Sequence, residues 1–145
     1  MKKERIRSCS SWHGGAPRRD CAYVVDDEQL PGFQGLAVVR VHLLFSFRSV
    51  GGLVYPCALV SWFVGSMDIP CDETGMWIVE PQLDDHGLPV MSVIHLDCML
   101  CAAHLIDVSG AHTVPCNLCH TDSLDAFNAF YVNKYADHHA HEIAF

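Results

Sequence analysis

The chain has 145 residues, of which half are hydrophobic and 18% are charged, and its formal net charge is −8. Two full-sized domains are excluded by this length, because domains usually run to about 100–200 residues, and the composition excludes an intrinsically disordered protein. The charge is uneven: six of the nine basic but only one of the seventeen acidic residues fall within 1–19, so that segment carries +5 and the remainder −13.

Residues 1–20 predict an irregular basic arm, because they are polar and contain the breaker cluster Gly14-Gly15-Ala16-Pro17. They lack the apolar region of a secretory signal, and the longest apolar stretch, 53–65, is shorter than the ~20 residues of a membrane helix. We therefore expect an intracellular protein with no membrane contact and with reduced thiols. The arm's basic side chains are candidate phosphate contacts, and the alternative is a solvated terminus without a role. They are Lys2, Lys3, Arg5, Arg7, Arg18 and Arg19.

Residues 21–108 predict a small β-barrel. Strand-like patterning occurs at 21–25, 36–47, 53–63, 75–79, 90–95 and 105–108. Within 36–47, Arg40, His42 and Ser46 share a parity, which predicts one wetter face opposite the apolar residues of that strand. The apolar, alanine-containing segment 97–104 predicts a short helix before the last strand. A mainly β fold follows, with a half-open SH3-like barrel of five to six strands favoured over a Greek-key sandwich.

The C-terminal part predicts a loop over 109–122 and a helix over 123–145 packed on the barrel. Ser123 is the expected N-cap. Leu124, Phe127, Tyr131 and Tyr135 follow at steps of three, four and four, which is the spacing of one apolar helix stripe.

Four cysteines have the spacing of a zinc knuckle pair. Cys98 and Cys101 are followed by Cys116 and Cys119 as C-x2-C-x14-C-x2-C, and four thiolates suit tetrahedral zinc. The alternative is that these cysteines are small apolar residues of a reduced protein, so that no cofactor is bound.

Motifs of catalysis are missing from the sequence. There is no G-x-S-x-G nucleophile motif and no glycine-rich loop that opens a helix. The paired acids at 26–27, 72–73 and 84–85 lie in turn-like segments, where Asp is favoured for its own backbone hydrogen bonds. We expect no enzymatic activity and identify no small-molecule substrate.

Several segments carry a family resemblance in a fixed order. They are 5–20, 55–63, 74–79, 92–97 and 103–106, followed by the most specific pair, 123–127 and 130–145. These resemble the C-terminal region of the transposase-like proteins of Plavaka and Kyakuja–Dileera–Zisupton type DNA transposons of mushroom-forming basidiomycete fungi. In that family the catalytic core is a separate RNase H-like domain upstream.

The resemblance implies a non-enzymatic accessory module that contacts DNA or other transposase domains, in the nucleus if the protein acts as transposases do. It also implies that the chain is either a detached C-terminal module or a degenerate transposon fragment, and a free-standing product without function is the remaining alternative. No catalytic residue is transferred by the resemblance.

Overall fold

A computed structural model of the protein describes residues 3–110 and 113–145, so Lys2 lies outside the described residues. Within those ranges the strands are β1 Ser8–Cys9, β2 Arg18–Arg19, β3 Cys21–Val25, β4 Leu36–Arg48, β5 Val54–Gly65, β6 Ile78–Pro81, β7 Met91–His95, β8 Met99–Ala103, β9 Leu105–Asp107 and β10 Phe130–Val132. The helices are α1 Ser123–Ala126 and α2 His138–Ala144, with 3-10 turns at Gly32–Gly35 and Leu96–Cys98. No described helix combines the length and the apolar character that crossing a membrane requires.

One antiparallel sheet forms most of the molecule. Its strand order is β8-β3-β4-β5-β6-β10-β9, with β7 paired to β5 beside this path. The two outermost strands, β8 and β9, are joined in the chain by the single residue His104, whose carbonyl accepts a 2.9 Å hydrogen bond from Asn133 N. The sheet therefore curls until its ends almost meet. The predicted mainly β fold is confirmed, as a nearly closed barrel-like sheet with two short helices.

The long β4–β5 hairpin forms the centre of this sheet, and the sequence predicts it correctly. Its turn is closed by Ser49 N donating to Leu53 O at 2.8 Å and by Gly52 at a φ of +84°, where glycine has no steric penalty. The register shifts between Val41 and Leu43, which leaves His42 as an extra residue, a β-bulge. Side chains beyond His42 consequently change face relative to those before it.

Apolar side chains pack on both faces of the central strands. One cluster fills the concave side, around the fully buried Tyr23, Val38 and Phe130, and the end of α2 packs against it. The second cluster, around Val39 and Val60 on the opposite face, is covered by neighbours that include Ile6 and Ile94. Burial on two faces explains why β3, β4 and β5 are almost continuously apolar in sequence.

The structure corrects the helix predicted over 123–145. Helix α1 ends at Ala126, strand β10 occupies Phe130–Val132, and α2 begins at His138 after its N-cap Asp137, whose side chain accepts from Ala140 N. Apolar steps of three and four fit a helix, but pairing of β10 with both β6 and β9 buries Phe130 and Val132 completely. The free energy gained by burying these side chains between the neighbouring strands outweighs the helical preference of the local sequence.

Two further segments, which were not predicted as strands, also form strands in the structure. Segment 97–104 forms only the 3-10 turn Leu96–Cys98 and then strand β8, because β8 pairs with β3. The arm predicted over 1–20 is not irregular in its described part, 3–20, since this part contains β1 and β2. The described residues therefore contain more strands than the five to six predicted.

Candidate nucleic-acid interface

The basic arm folds into a small β-hairpin. Ser8 pairs with Arg19 and Cys9 with Arg18, antiparallel. The chain reverses between them through His13 and Gly14, which have φ values of 51° and 75°. Gly15 N donates to Trp12 O at 2.9 Å within this reversal. The hairpin places Arg7, Trp12 and Arg18 side by side, although they are up to eleven positions apart in sequence.

Asp20 joins the two strands of the N-terminal hairpin at their base. Its Oδ2 accepts from Arg7 N at 2.8 Å and its Oδ1 from Arg18 Nε at 2.7 Å. Its backbone N donates to Arg7 O, and its backbone carbonyl accepts from Val41 N of β4, both at 2.9 Å. One largely buried carboxylate therefore holds the two strands of the hairpin, and its backbone joins them to the barrel.

Three further contacts hold the segment against the barrel. Ile6 packs on the outer apolar cluster. Glu4 Oε2 accepts a 2.8 Å hydrogen bond from Ala102 N on β8, and Ser8 Oγ donates to the carbonyl of His42. Because these contacts involve both β4 and β8, the arm is a fixed part of the domain surface.

Two guanidinium groups lie against the ring of Trp12. The Cζ atoms of Arg7 and Arg18 lie 4.7 and 4.9 Å from the centroid of its ring. Both distances are within the range of cation–π attraction. Arg19 donates from Nη1 to Cys9 O at 2.6 Å, which orients its guanidinium. Among the contacts that the structure describes, the Arg7 guanidinium and both Nη atoms of Arg18 donate no hydrogen bond, so these donors are available to a ligand.

A groove of about 590 Å³ lies between the hairpin and the segment that leads into α1. The hairpin side contributes Trp12, Arg18 and Arg19, and Arg40 of β4 also lines the groove. The opposite wall contains polar side chains of 119–123, including His120 and Thr121. Two of these arginines are paired with carboxylates, Arg18 with Asp20 and Arg40 with Asp125, so the excess positive charge along the groove comes from Arg19.

Arg40 is held in place by Asp125 of α1. Its Nη1 and Nη2 donate to the two carboxylate oxygens at 2.7 and 3.3 Å, while its buried Nε makes no hydrogen bond. The hydrogen bonds from Arg40 hold the pKa of the Asp125 carboxyl below its usual value. This pair ties α1 to β4 and fixes the wall of the groove.

His42 of β4 and Ser61 of β5 form a hydrogen-bonded pair beneath the N-terminal hairpin, with Nε2 and Oγ 2.8 Å apart. Burial, and then the charges of Arg40 and Arg19, lower the pKa of His42 below its usual value. A histidine beside a serine is the geometry of nucleophile activation. Ser61, however, is only 8% exposed in the middle of β5, where a substrate cannot reach its hydroxyl.

The structure places the predicted phosphate contacts in two groups. Lys3 and Arg5 are exposed on the segment that precedes the hairpin, and Arg7, Arg18 and Arg19 are half-buried in the hairpin itself. Lys2 lies outside the described residues. Sequence reasoning did not identify Trp12, Arg40 or His120 as neighbours of this cluster. Trp12 lies within the basic segment and was the one detectable signal, because an aromatic residue among arginines is typical of nucleic-acid contacts.

The four cysteines of the predicted zinc motif have unlike surroundings. Cys101 is buried in the concave cluster, and burial raises the pKa of its thiol to about 11. Cys98, Cys116 and Cys119 are exposed. Within residues 3–110 and 113–145, no group of three or more His, Cys, Asp or Glu side chains is arranged to hold a metal ion. Zinc binding stays a prediction.

Comparisons of the chain with models of protein families, with curated proteins and with solved structures returned no match.

Proposed function

We propose that the protein is a non-enzymatic accessory module of transposase origin that contacts DNA phosphates through its N-terminal hairpin. The observation that carries this proposal is the pair Arg7 and Arg18 on the ring of Trp12, beside a groove that Arg19 also lines. Arginine is the side chain best suited to phosphate, because its planar fork donates two parallel hydrogen bonds to one anion.

The fixed hairpin supports phosphate binding more strongly than a solvated terminus does. A flexible arm loses side-chain and backbone entropy when it binds, whereas Arg18 and Arg19 are already ordered by their hydrogen bonds to Asp20 and to Cys9 O. The acidic remainder of the chain repels a phosphate backbone elsewhere, so contact is confined to this surface. Contacts of this kind position a protein on DNA and carry no sequence specificity by themselves.

The test is the salt dependence of binding to a short DNA duplex, followed by fluorescence anisotropy. The variant replaces Lys3, Arg5 and Arg7 with Gln, because none of these side chains makes a hydrogen bond to another described residue. Arg18 is kept, since its Nε binds Asp20. The slope of log K against log salt should become shallower by about 0.9 for each DNA phosphate that the variant no longer neutralises.

Arg48→Gln is the matched control, because it removes one exposed positive charge at the far end of β4. It should leave the slope as in the wild type. Absence of any binding at low salt, or a change of slope in the control that is as large per removed charge, would contradict DNA contact by the hairpin.

Transposase origin needs a separate observation. The genomic DNA upstream of the coding sequence should contain remnants of a reading frame for an RNase H-like core with an acidic triad. Intact unrelated genes on both sides would contradict this origin without affecting the DNA-binding test.

Zinc binding is the alternative function, and the environment of Cys101 opposes it. Zinc binds the thiolate form, and a buried thiol of raised pKa resists ionisation. We propose that the reduced protein contains no stoichiometric zinc after purification without chelators. One zinc per chain by elemental analysis, removed by a Cys116→Ser substitution, would establish the alternative.

A further inference from the structure

The groove between the N-terminal hairpin and residues 119–124 has apolar as well as charged walls. Ala16, Pro17 and Leu124 line it together with Trp12. Its volume of about 590 Å³ lies within the range of about 300–1,000 Å³ that is usual for sites of small ligands. The groove therefore has the size of a site for one small, partly apolar ligand, and not for a length of duplex DNA.

The charge of the groove suits a single phosphate. Arg18 and Arg40 are each 2.7 Å from a carboxylate oxygen, of Asp20 and Asp125, so these two charges are balanced. Arg19 makes no ion pair with a described residue, and of its donors only Nη1 is used there, in a bond to a backbone carbonyl. Its Nε and Nη2 can bind one anion, whereas several phosphates in the groove would need several unpaired cations.

The ring of Trp12 and the guanidinium of Arg18 provide a surface on which a nucleobase can stack. Arg18 Cζ lies 4.9 Å from the centroid of the Trp12 ring, and Arg18 Nε donates to Asp20 Oδ1, so both groups are held in place. Bases stack on aromatic rings and on guanidinium planes, and every base has a π-face to offer. In a duplex these faces are covered by the neighbouring base pairs, so stacking here requires an unpaired base.

The opposite wall supplies polar groups for the edge of a base or for the sugar. His120 is exposed and makes no hydrogen bond to another described residue. Thr121 Oγ1 donates to Asp122 Oδ1 at 3.3 Å, which leaves the hydroxyl oxygen as an acceptor. Asp122 Oδ2 also accepts from Cys119 N at 3.3 Å, so this carboxylate is engaged within the wall.

We propose that the groove binds one unpaired nucleotide of a DNA strand, with its phosphate on Arg19 and its base against Trp12 and Arg18. This inference rests on the proposed function, because it assigns one form of DNA to part of the same surface. Phosphate contacts outside the groove serve single and double strands alike, whereas the groove adds affinity only where a base is free to enter. The protein should therefore bind single-stranded DNA more tightly than a duplex.

The test compares a short thymidine oligonucleotide with a blunt duplex of the same length, by fluorescence anisotropy at one low salt concentration. The wild type should bind the single strand at least about fivefold more tightly, which is the smaller contribution expected of one stacked base. Thymidine 5′-monophosphate should displace the single strand at a lower concentration than inorganic phosphate does, because the phosphate alone gains no stacking.

Trp12→Leu removes the ring and should abolish the preference for the single strand. The ratio of the two affinities is the readout, because a loosened hairpin would weaken binding of both forms alike. Phe47→Leu is the matched control: it makes the same exchange at a half-exposed aromatic residue near the turn of the β4–β5 hairpin, and it should keep the preference. Ala16→Leu, which takes up space in the groove without changing its charge, is the second variant if Trp12→Leu fails to fold by circular dichroism.

Three results would overturn the nucleotide site and leave phosphate contact by the hairpin standing. They are equal affinity for the two forms of DNA, a preference that persists in folded Trp12→Leu and Ala16→Leu variants, and equal displacement by thymidine 5′-monophosphate and inorganic phosphate. Binding of neither form at low salt would contradict the proposed function as well.

Discussion

Replacement of Asp20 by alanine should open the N-terminal hairpin, because the lost carboxylate joins its two strands. The carboxylate accepts hydrogen bonds from Arg7 N at 2.8 Å and Arg18 Nε at 2.7 Å, and its side chain is 17% exposed. A hydrogen bond to a charged group contributes about 1.5–3 kcal/mol, and partial exposure of Arg18 places the pair at the lower end of that range. We expect a loss of about 2 kcal/mol, which is a roughly 30-fold increase in the open population of the hairpin.

Amide hydrogen exchange measures this opening directly. In the Asp20→Ala variant the amide of Arg7 should exchange about 30-fold faster, while amides in the centre of β4 should keep their rates. Trypsin should also cleave within residues 5–19 faster than in the wild type, because the arginines there become accessible. Asp85→Ala is the control, since Asp85 is exposed and makes no hydrogen bond among the described contacts. Exchange at Arg7 within twofold of the wild type would refute the view that Asp20 holds the hairpin.

Three further predictions test the fold. Phe130→Ala should lower the free energy of unfolding by about 4 kcal/mol and Tyr131→Ala by much less, because β10 buries Phe130 completely. Equal losses in urea denaturation would indicate a helix over this segment instead. Gly35→Ala should be strongly destabilising, since a Cβ there would lie 2.5 Å from two backbone carbonyl oxygens. At Gly51 a Cβ would meet only the Ser49 hydroxyl, at an ordinary contact distance of 3.8 Å, so Gly51→Ala should change the melting temperature little. Because the pKa of His42 is lowered by folding, the folded protein binds fewer protons than the unfolded chain below about pH 6.5. The free energy of unfolding should therefore fall as the pH drops from there through the folded pKa. His42→Gln should flatten this pH dependence, which denaturation curves at several pH values would measure.

The sequence predicts the strands that have strong local signals. Segment 21–25 coincides with β3, and 36–47 and 53–63 coincide with β4 and β5 to within two residues at each end. These segments are long or rich in β-branched residues, and a glycine turn separates the last two, so local propensity and tertiary pairing agree. The same local pattern contains no sign of the bulge at His42, and that single residue decides which side chains are exposed.

The short elements depend on partners that are distant in sequence. Strand β8 forms because β3 pairs with it, and β10 forms because β6 and β9 lie on either side of it. Their own sequences fit a helical turn equally well, so the local sequence does not distinguish the two states.

The residues of the candidate site also fall into two kinds, those with a local sequence signal and those brought together by distant parts of the chain. Its basic residues are close together in sequence and were predicted, whereas Arg40 lines the groove from β4, beside its partner Asp125, which is 85 positions away. The approach of 119–124 to the hairpin has no signal in the sequence.

The hairpin surface is where we expect DNA to bind, and this is the central claim. Amide chemical shifts recorded by NMR during titration with a short duplex test it most directly. We predict changes concentrated in residues 3–20 and in the groove wall at 119–124, which disappear as salt is added. Changes centred on the acidic turn at 84–88 instead, or no changes at any duplex concentration in low salt, would contradict it.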